Sequence, residues 1–213
     1  CRTGNRSTTL YQKASASVTR NKAAGDLPEI TADILIIGGG SAGIGVTASL
    51  LKRASDLRIT LIEPNDQHYY QPAWTLVGGG AYDVRKTVRP MSHVIPRGAT
   101  WIKATVVEVL PDNKCLTLSN GQRVAYQHLI VCPGLRLAWE HIEGLEETLG
   151  KHGVTSNYRY DLCTYTWQLV QGLRRGKALF SQPAMPIKCA GAPQKALYLS
   201  CDHWQKSGVL QGM

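Results

Sequence analysis

Gly38, Gly40 and Gly43 are spaced as G-x-G-x-x-G and come directly after the apolar run Ile34-Leu-Ile-Ile37. Such a run reads as a buried parallel strand, and the glycines after it could cradle a pyrophosphate. The first permits a tight turn, the second lets a phosphate approach the backbone, and the third lets a helix pack on the strand. A helix from about Ala42 to Arg53 would aim its free N–H groups and dipole at the phosphates. A second strand, Arg58-Ile-Thr-Leu-Ile62, ends at Glu63, near the roughly 20-residue spacing at which a ribose-binding carboxylate is expected. A glycine-rich turn alone can bind nothing; strand, glycines, helix, strand and acid in this order point to a dinucleotide.

The other candidate for chemistry is a thiol. Ile187-Lys-Cys-Ala-Gly-Ala-Pro-Gln-Lys195 stands where a second nucleotide-binding half would carry its glycine-rich turn. Lys188 and the start of a following helix both favour the thiolate of Cys189, the reactive form. A small buried cysteine in a strand–helix turn is the alternative. Cys1, Cys115, Cys132, Cys163 and Cys201 form no C-x-x-C and no metal-ligand spacing with the histidines. His68 and His93 read as hydrogen-bonded structural residues, and Tyr70 and Trp74 as groups packing on cofactor or core.

The elements that must position these residues are α/β. Trp101 to Leu110 has strand character, Pro111 to Lys114 reads as a turn, and Cys115 to Leu118 as a second strand. Asn120-Gly121 marks a hairpin before Gln122 to Tyr126, giving a small antiparallel insertion in a Rossmann-like sheet. His128 to Cys132 is the return strand. The aromatic stretch from Pro64 to Ala81 reads as a loop, either covering the cofactor or simply connecting. Helical spacing runs from Asp161 to Arg175 and stops at Gly176. Ala178 to Ser181 reads as a strand and Gln194 to Lys206 as a helix with Pro193 near its start.

Composition narrows the function classes. Hydrophobic content of 43% and charged content of 18% over 213 residues suit a folded soluble protein with a real core. No apolar run approaches the roughly 20 residues of a membrane-spanning helix. The net charge of +9 does not point to nucleic acid, because the basic residues form no aromatic-interleaved cluster. Arg2, Arg6, Lys13, Arg20 and Lys22 instead precede the first acid, Asp26, in a Ser/Thr-rich stretch with the composition of an organelle transit peptide. A disordered tail is the alternative. The sequon Asn5-Arg6-Ser7 means little without a secretory signal. A start at Cys1 reads as a fragment edge, and the cysteine usage as that of a reducing compartment.

The segments Gln67-His-Tyr-Tyr-Gln-Pro-Ala-Trp-Thr-Leu-Val-Gly78, Val94-Ile-Pro, Trp101-Ile-Lys-Ala and Lys188-Cys-Ala-Gly-Ala-Pro-Gln-Lys resemble those of mitochondrial sulfide:quinone oxidoreductases. These are flavoproteins with two dinucleotide-binding domains, and the resemblance runs from about Asp33 to Gly208. It implies FAD, not NAD, at the fingerprint. Ser41 and Ala42 would contact the pyrophosphate through backbone N–H groups alongside Gly38, Gly40 and Gly43, and Glu63 would bind the adenosine ribose. Gln71 and, through its backbone near the adenine, Val106 match further FAD-contact positions.

Cys189 matches the redox cysteine nearest the flavin. In the family, hydrogen sulfide attacks a cysteine pair and leaves a persulfide on the distant partner. The flavin-side sulfur passes electrons to FAD, the persulfide sulfur goes to a small thiol or sulfite, and ubiquinone takes the electrons. The resemblance puts the second redox cysteine, a later Gly-Asp flavin contact and the quinone and membrane elements beyond Met213. It therefore implies a truncated enzyme, with peripheral contact to the inner mitochondrial membrane only for the full-length protein. The expected organisation is a transit peptide or tail over 1–32, an FAD-binding Rossmann-like domain over 33–150, and over 151–213 a linker helix and the first βα unit of a second dinucleotide-binding-like domain. Two alternatives remain: a non-catalytic FAD-binding remnant, and an NAD-dependent oxidoreductase that uses the first fingerprint alone. Cys132, at a strand end before Pro133-Gly134, reads as a packing residue, with a flavin-side role as the alternative.

Overall fold

β1 (Ile30–Ile37) lies at the centre of a six-stranded sheet, between β2 (Ile59–Ile62) and β8 (Arg123–Val131), both parallel to it. Such central strands are covered on both faces, which is why they are written in isoleucine and leucine without alternation. Leu35 and Leu61 are fully buried, each worth roughly 1.5–3 kcal/mol of hydrophobic stabilisation. A computed structural model describes residues 30–182 and 187–212. The basic N-terminal stretch, with Cys1 and the Asn5 sequon, lies outside the described residues.

The full order is β5-β2-β1-β8-β7-β6, with β5 (Ala99–Ile102) parallel to β2 and the meander of β6 (Val106–Leu110), β7 (Cys115–Leu118) and β8 antiparallel. Helix α1 (Ser41–Arg53) crosses from β1 to β2. Register sets the position of the site, because Ile37 is level with both Ile62 and Val131. Gly38, Glu63 and Cys132 therefore all stand one residue past the aligned carboxyl ends, the edge where open α/β sheets bind ligands.

The Rossmann-like class and the antiparallel insertion are as the sequence predicts; several boundaries differ. β1 begins at Ile30, ahead of the apolar run at Ile34, because the nine-residue β8 offers Val124, Ala125 and Tyr126 as ladder partners to Ile30, Thr31 and Ala32. The run from Trp101 to Leu110 is two strands, not one. Ala104 N–H bonds back to Ile102 O (3.1 Å), a three-residue turn that ends β5. β5 and β6 thus sit at opposite ends of the strand order yet are joined by residues 103–105 alone. A link of that length spans at most about 14 Å, so the sheet curls until its edges approach.

The expected loop after Glu63 is ordered. β3 (Gln67–Tyr69) pairs antiparallel with β4 (Val88–Pro90), and α2 (Trp74–Gly78) comes after a single 3₁₀ turn. α3 (Met91–Val94) and α4 (Leu145–Thr148) are single turns. The long helices are α5 (Tyr160–Gly172) and α6 (Gly191–Lys206), the first ending and the second starting three residues earlier than expected. Ala178 to Ser181 forms no strand. Its backbone has no neighbouring strand among the described residues, and a lone extended segment cannot make a ladder. α5 and α6 pack against α2, around a second small core of Trp74, Val77 and Cys163.

Candidate functional site

The glycine fingerprint divides into buried and exposed halves. Gly38 and Gly43 are buried, whereas Gly40, Ser41 and Ala42 are exposed. Gly38 adopts φ +102°, and a Cβ there would stand 2.0 Å from Cys132 O. One on Gly43 would stand 1.9 Å from Gly38 O, so these two glycines shape the turn. At Gly40 a Cβ meets nothing within 4 Å; that open side is where a ligand can approach. α1 starts there with no side-chain cap and no acid in its first turn, so its N-terminal N–H groups remain available to an anion.

Glu63 is buried, and its carboxylate ties the turn down. Oε2 accepts from Gly39 N–H at 2.8 Å, and Oε1 accepts from Asn65 N–H at 2.9 Å and from Asn65 Nδ2 at 2.5 Å. Carboxylate oxygens have about four acceptor sites between them, so capacity remains for a ribose hydroxyl. Gly39, which the fingerprint leaves as a free position, is fixed by this contact. A Cβ there would fall 2.7 Å from Glu63 Cγ. Trp101 Nε1 donates to Glu63 O at 2.9 Å and pins β5 alongside. His68 Nδ1 stands 3.2 Å from Gly39 O and must carry the proton there, since a carbonyl only accepts. That agrees with its structural reading. Val106 opens β6, half-buried against the main core.

A groove of about 400 Å³ runs beside the start of α1, with Ser41, His68, Tyr70, Lys86 and Arg89 on its walls. Its walls come wholly from the first half of the chain and do not include Cys189. Tyr70 is exposed and lines this groove. Trp74 is buried, packed 6.1 Å from Tyr160 and donating to Thr87 Oγ1 at 3.3 Å, so the packing expectation holds for it.

Cys189 is exposed and stands just ahead of α6, its carbonyl accepting from Ala192 N–H at 2.9 Å. Its φ of +60° is left-handed, a conformation that costs a non-glycine residue roughly 1–3 kcal/mol unless its surroundings hold it. Tyr158 is the neighbour that does so. Its Oη donates to Lys188 O and to Cys189 O, the latter at 3.3 Å. Burial, and then the adjacent Cys189, push the Tyr158 phenol above its ordinary value. Tyr158 O in turn accepts from Gln71 Nε2 at 3.4 Å. Gln71, in the 3₁₀ turn before α2, and the cysteine segment, far apart in sequence, thereby meet on one tyrosine.

Sequence reasoning missed Tyr158. The only available signal was the pair Asn157-Tyr158 placed just before a helix, which is too common to single out. Thr75 Oγ1 and Asn157 Oδ1 are buried without partners, at a cost of about 1–3 kcal/mol each. The Asn157 side chain packs against Gly78 of α2, its Oδ1 2.3 Å from where a Cβ on that glycine would stand. Among the described residues all cysteines are free and no group of His, Cys, Asp or Glu could hold a metal ion. No helix there is long and apolar enough to cross a membrane.

Comparison with known proteins gives a consistent result. The chain is 42% identical over 180 residues to a mitochondrial sulfide:quinone oxidoreductase of Dictyostelium discoideum, covering 83% of this chain and 39% of that protein. It is 40% identical over 176 residues to the mouse protein of the same name, with the same coverage. The chain thus spans about two fifths of the length of the curated relatives it matches. In fold it is similar to the crystal structure of the Aquifex aeolicus sulfide:quinone oxidoreductase, with a TM-score of 0.67 at 22% identity over 85% of this chain and 41% of that one. The family model for pyridine nucleotide-disulphide oxidoreductases matches residues 32–164, well over half of the 213 residues, and its span takes in the glycine turn, Glu63 and Tyr158: the chain belongs to that family.

Proposed function

We propose that this chain carries the FAD cradle and the flavin-side redox cysteine of a mitochondrial sulfide:quinone oxidoreductase. FAD is the cofactor of the family to which the chain belongs. The residues fit it: an open approach at Gly40, and an uncapped α1 with no acid in its first turn. Gly38, Gly40, Ser41, Ala42 and Gly43 would hold the pyrophosphate, Glu63 the ribose, and Gln71 and Val106 further parts of the cofactor. When bound, FAD supplies a two-electron acceptor.

The observation that supports the reading is that Tyr158 accepts from Gln71 through its carbonyl and donates to the Cys189 carbonyl through its hydroxyl, so one residue links the expected cofactor segment to the turn that carries an exposed thiol. In the proposed reaction, hydrosulfide attacks the partner sulfur of a disulfide that includes Cys189. An S–S bond forms as a persulfide on the partner, the bond to Cys189 breaks, and Cys189 leaves as thiolate. Transfer of the outer sulfur to a small thiol leaves the partner as a thiol; it and the Cys189 thiolate would rejoin as the disulfide by giving up two electrons and a proton, the oxidation for which bound FAD would supply the acceptor. In the net balance, hydrogen sulfide, a small thiol and ubiquinone give the persulfide of that thiol and ubiquinol; sulfite is the other acceptor class. A peripheral place at the inner membrane belongs to the same reading.

Among the described cysteines, Cys201 is nearest in sequence. It lies ten residues beyond Gly191 along α6 at roughly 1.5 Å each, beyond the roughly 7 Å reach of a disulfide. That favours a second reading for this chain in isolation, in which it holds FAD without turnover. Purified chain should show flavin absorbance; a colourless protein that binds NAD would sink the proposal. In a longer, full-length form, C189S should abolish sulfide-dependent bleaching of the flavin, and retained bleaching would mean the cysteine is misassigned.

A further inference from the structure

We propose that Tyr158 is a positioning residue for Cys189, its phenol clamping the backbone of residues 188 and 189 in the left-handed turn that presents the thiol ahead of α6. The inference rests on the reading of Cys189 as the flavin-side redox cysteine. A cysteine at φ +60° is held against its own preference. Two successive carbonyls, Lys188 O and Cys189 O, accept from the one Tyr158 hydroxyl. Among the described residues no other side chain bonds to this stretch of backbone.

The clamp also has a fixed base. Tyr158 O accepts from Gln71 Nε2, so the tyrosine is gripped by the cofactor loop at its backbone while it grips the cysteine turn with its hydroxyl. Burial keeps the phenol protonated, and a phenol must be protonated to donate to a carbonyl. A bifurcated donor of this kind fixes a direction as well as a distance. It sets where the Cys189 sulfur lies relative to the Gln71 loop, and a thiolate that must surrender electrons to a neighbouring ring system needs that placement.

The test uses Y158F and C189S in the full-length, FAD-loaded protein. Y158F keeps the ring and removes only the donor. Amide hydrogen exchange in peptides covering 187–192 should quicken about fivefold, while β1 and α1 are unchanged. FAD should stay bound, and sulfide-driven flavin bleaching should slow by roughly tenfold. If Y158F matches the unmodified protein in exchange and bleaching while C189S abolishes bleaching, the Tyr158 inference fails and the Cys189 reading survives. If C189S still bleaches, the reading of Cys189 fails and takes the inference with it. Faster exchange throughout β1 and α1 would report a folding role and equally overturn positioning.

Discussion

Both oxygens of the buried Glu63 carboxylate face N–H groups, from Gly39 on one side and Asn65 on the other. A glutamine can serve only one side as an acceptor and must turn its own NH2 toward the other donor. E63Q should therefore lower stability by about 1–3 kcal/mol in urea denaturation and weaken FAD retention as the turn loosens. The glycines separate binding from folding more sharply. Gly40 has extended backbone (φ −72°, ψ −176°) and open space at its Cβ position. G40A should keep the melting temperature and lose FAD affinity, because the added methyl fills the ligand's approach. Gly43 has Gly38 O at 1.9 Å from that position, so G43A should cost about 3 kcal/mol or more and lower the melting temperature whether or not FAD is present.

At the scale of elements, the 3₁₀ turn Val84–Thr87 lies under the basic wall of the groove and is started by Asp83, whose carboxylate accepts from Arg85 N–H at 2.9 Å. The Arg85 side chain beside it holds the Asp83 carboxyl down at about 2, against an ordinary 3.8. Because the folded value lies below the unfolded one, the cap's contribution is present above about pH 4 and is lost as pH falls toward 2. The pair is solvent-exposed, so the effect on overall stability is small. A carboxyl-detected NMR titration should give Asp83 a midpoint near 2. In R85A that midpoint should move up toward the ordinary value. The same scale explains the missing strand over residues 178–181: its residues are compatible with a strand, but a strand needs a neighbour.

At the scale of the molecule, the main core lies along β1, β2, β7 and β8, while α5 and α6 are held mainly through α2 and the Trp74 cluster. Leu179 is 93% exposed, and Tyr198, on α6, is 68% exposed. Apolar side chains left open in this way are expected to bind a hydrophobic dye and to promote association. The chain alone should enhance ANS fluorescence, and L179K with Y198K should reduce that signal without changing far-UV circular dichroism. An unmodified chain that leaves the dye dark would show that this surface is not an effective apolar patch.

The β1–α1–β2 unit, the hairpin at Asn120-Gly121 and the turn before α6 were legible in the sequence because each is dictated by spacing and composition within a short window. The resemblance added FAD and the choice of Cys189. What folding alone decided depends on contacts between distant residues. Glu63 reaches Gly39 across 24 positions, Tyr158 reaches Lys188 across 30, and Gln71 reaches Tyr158 across 87. No local pattern encodes such pairs, since any of several carboxylates or tyrosines satisfies the same periodicity. The sequence by itself determined a strand–glycine turn–helix unit open at Gly40 and a cysteine placed just ahead of a helix. Only the tertiary structure, by curling the sheet and docking α5 and α6 on α2, joined the cysteine turn to Gln71 through one tyrosine.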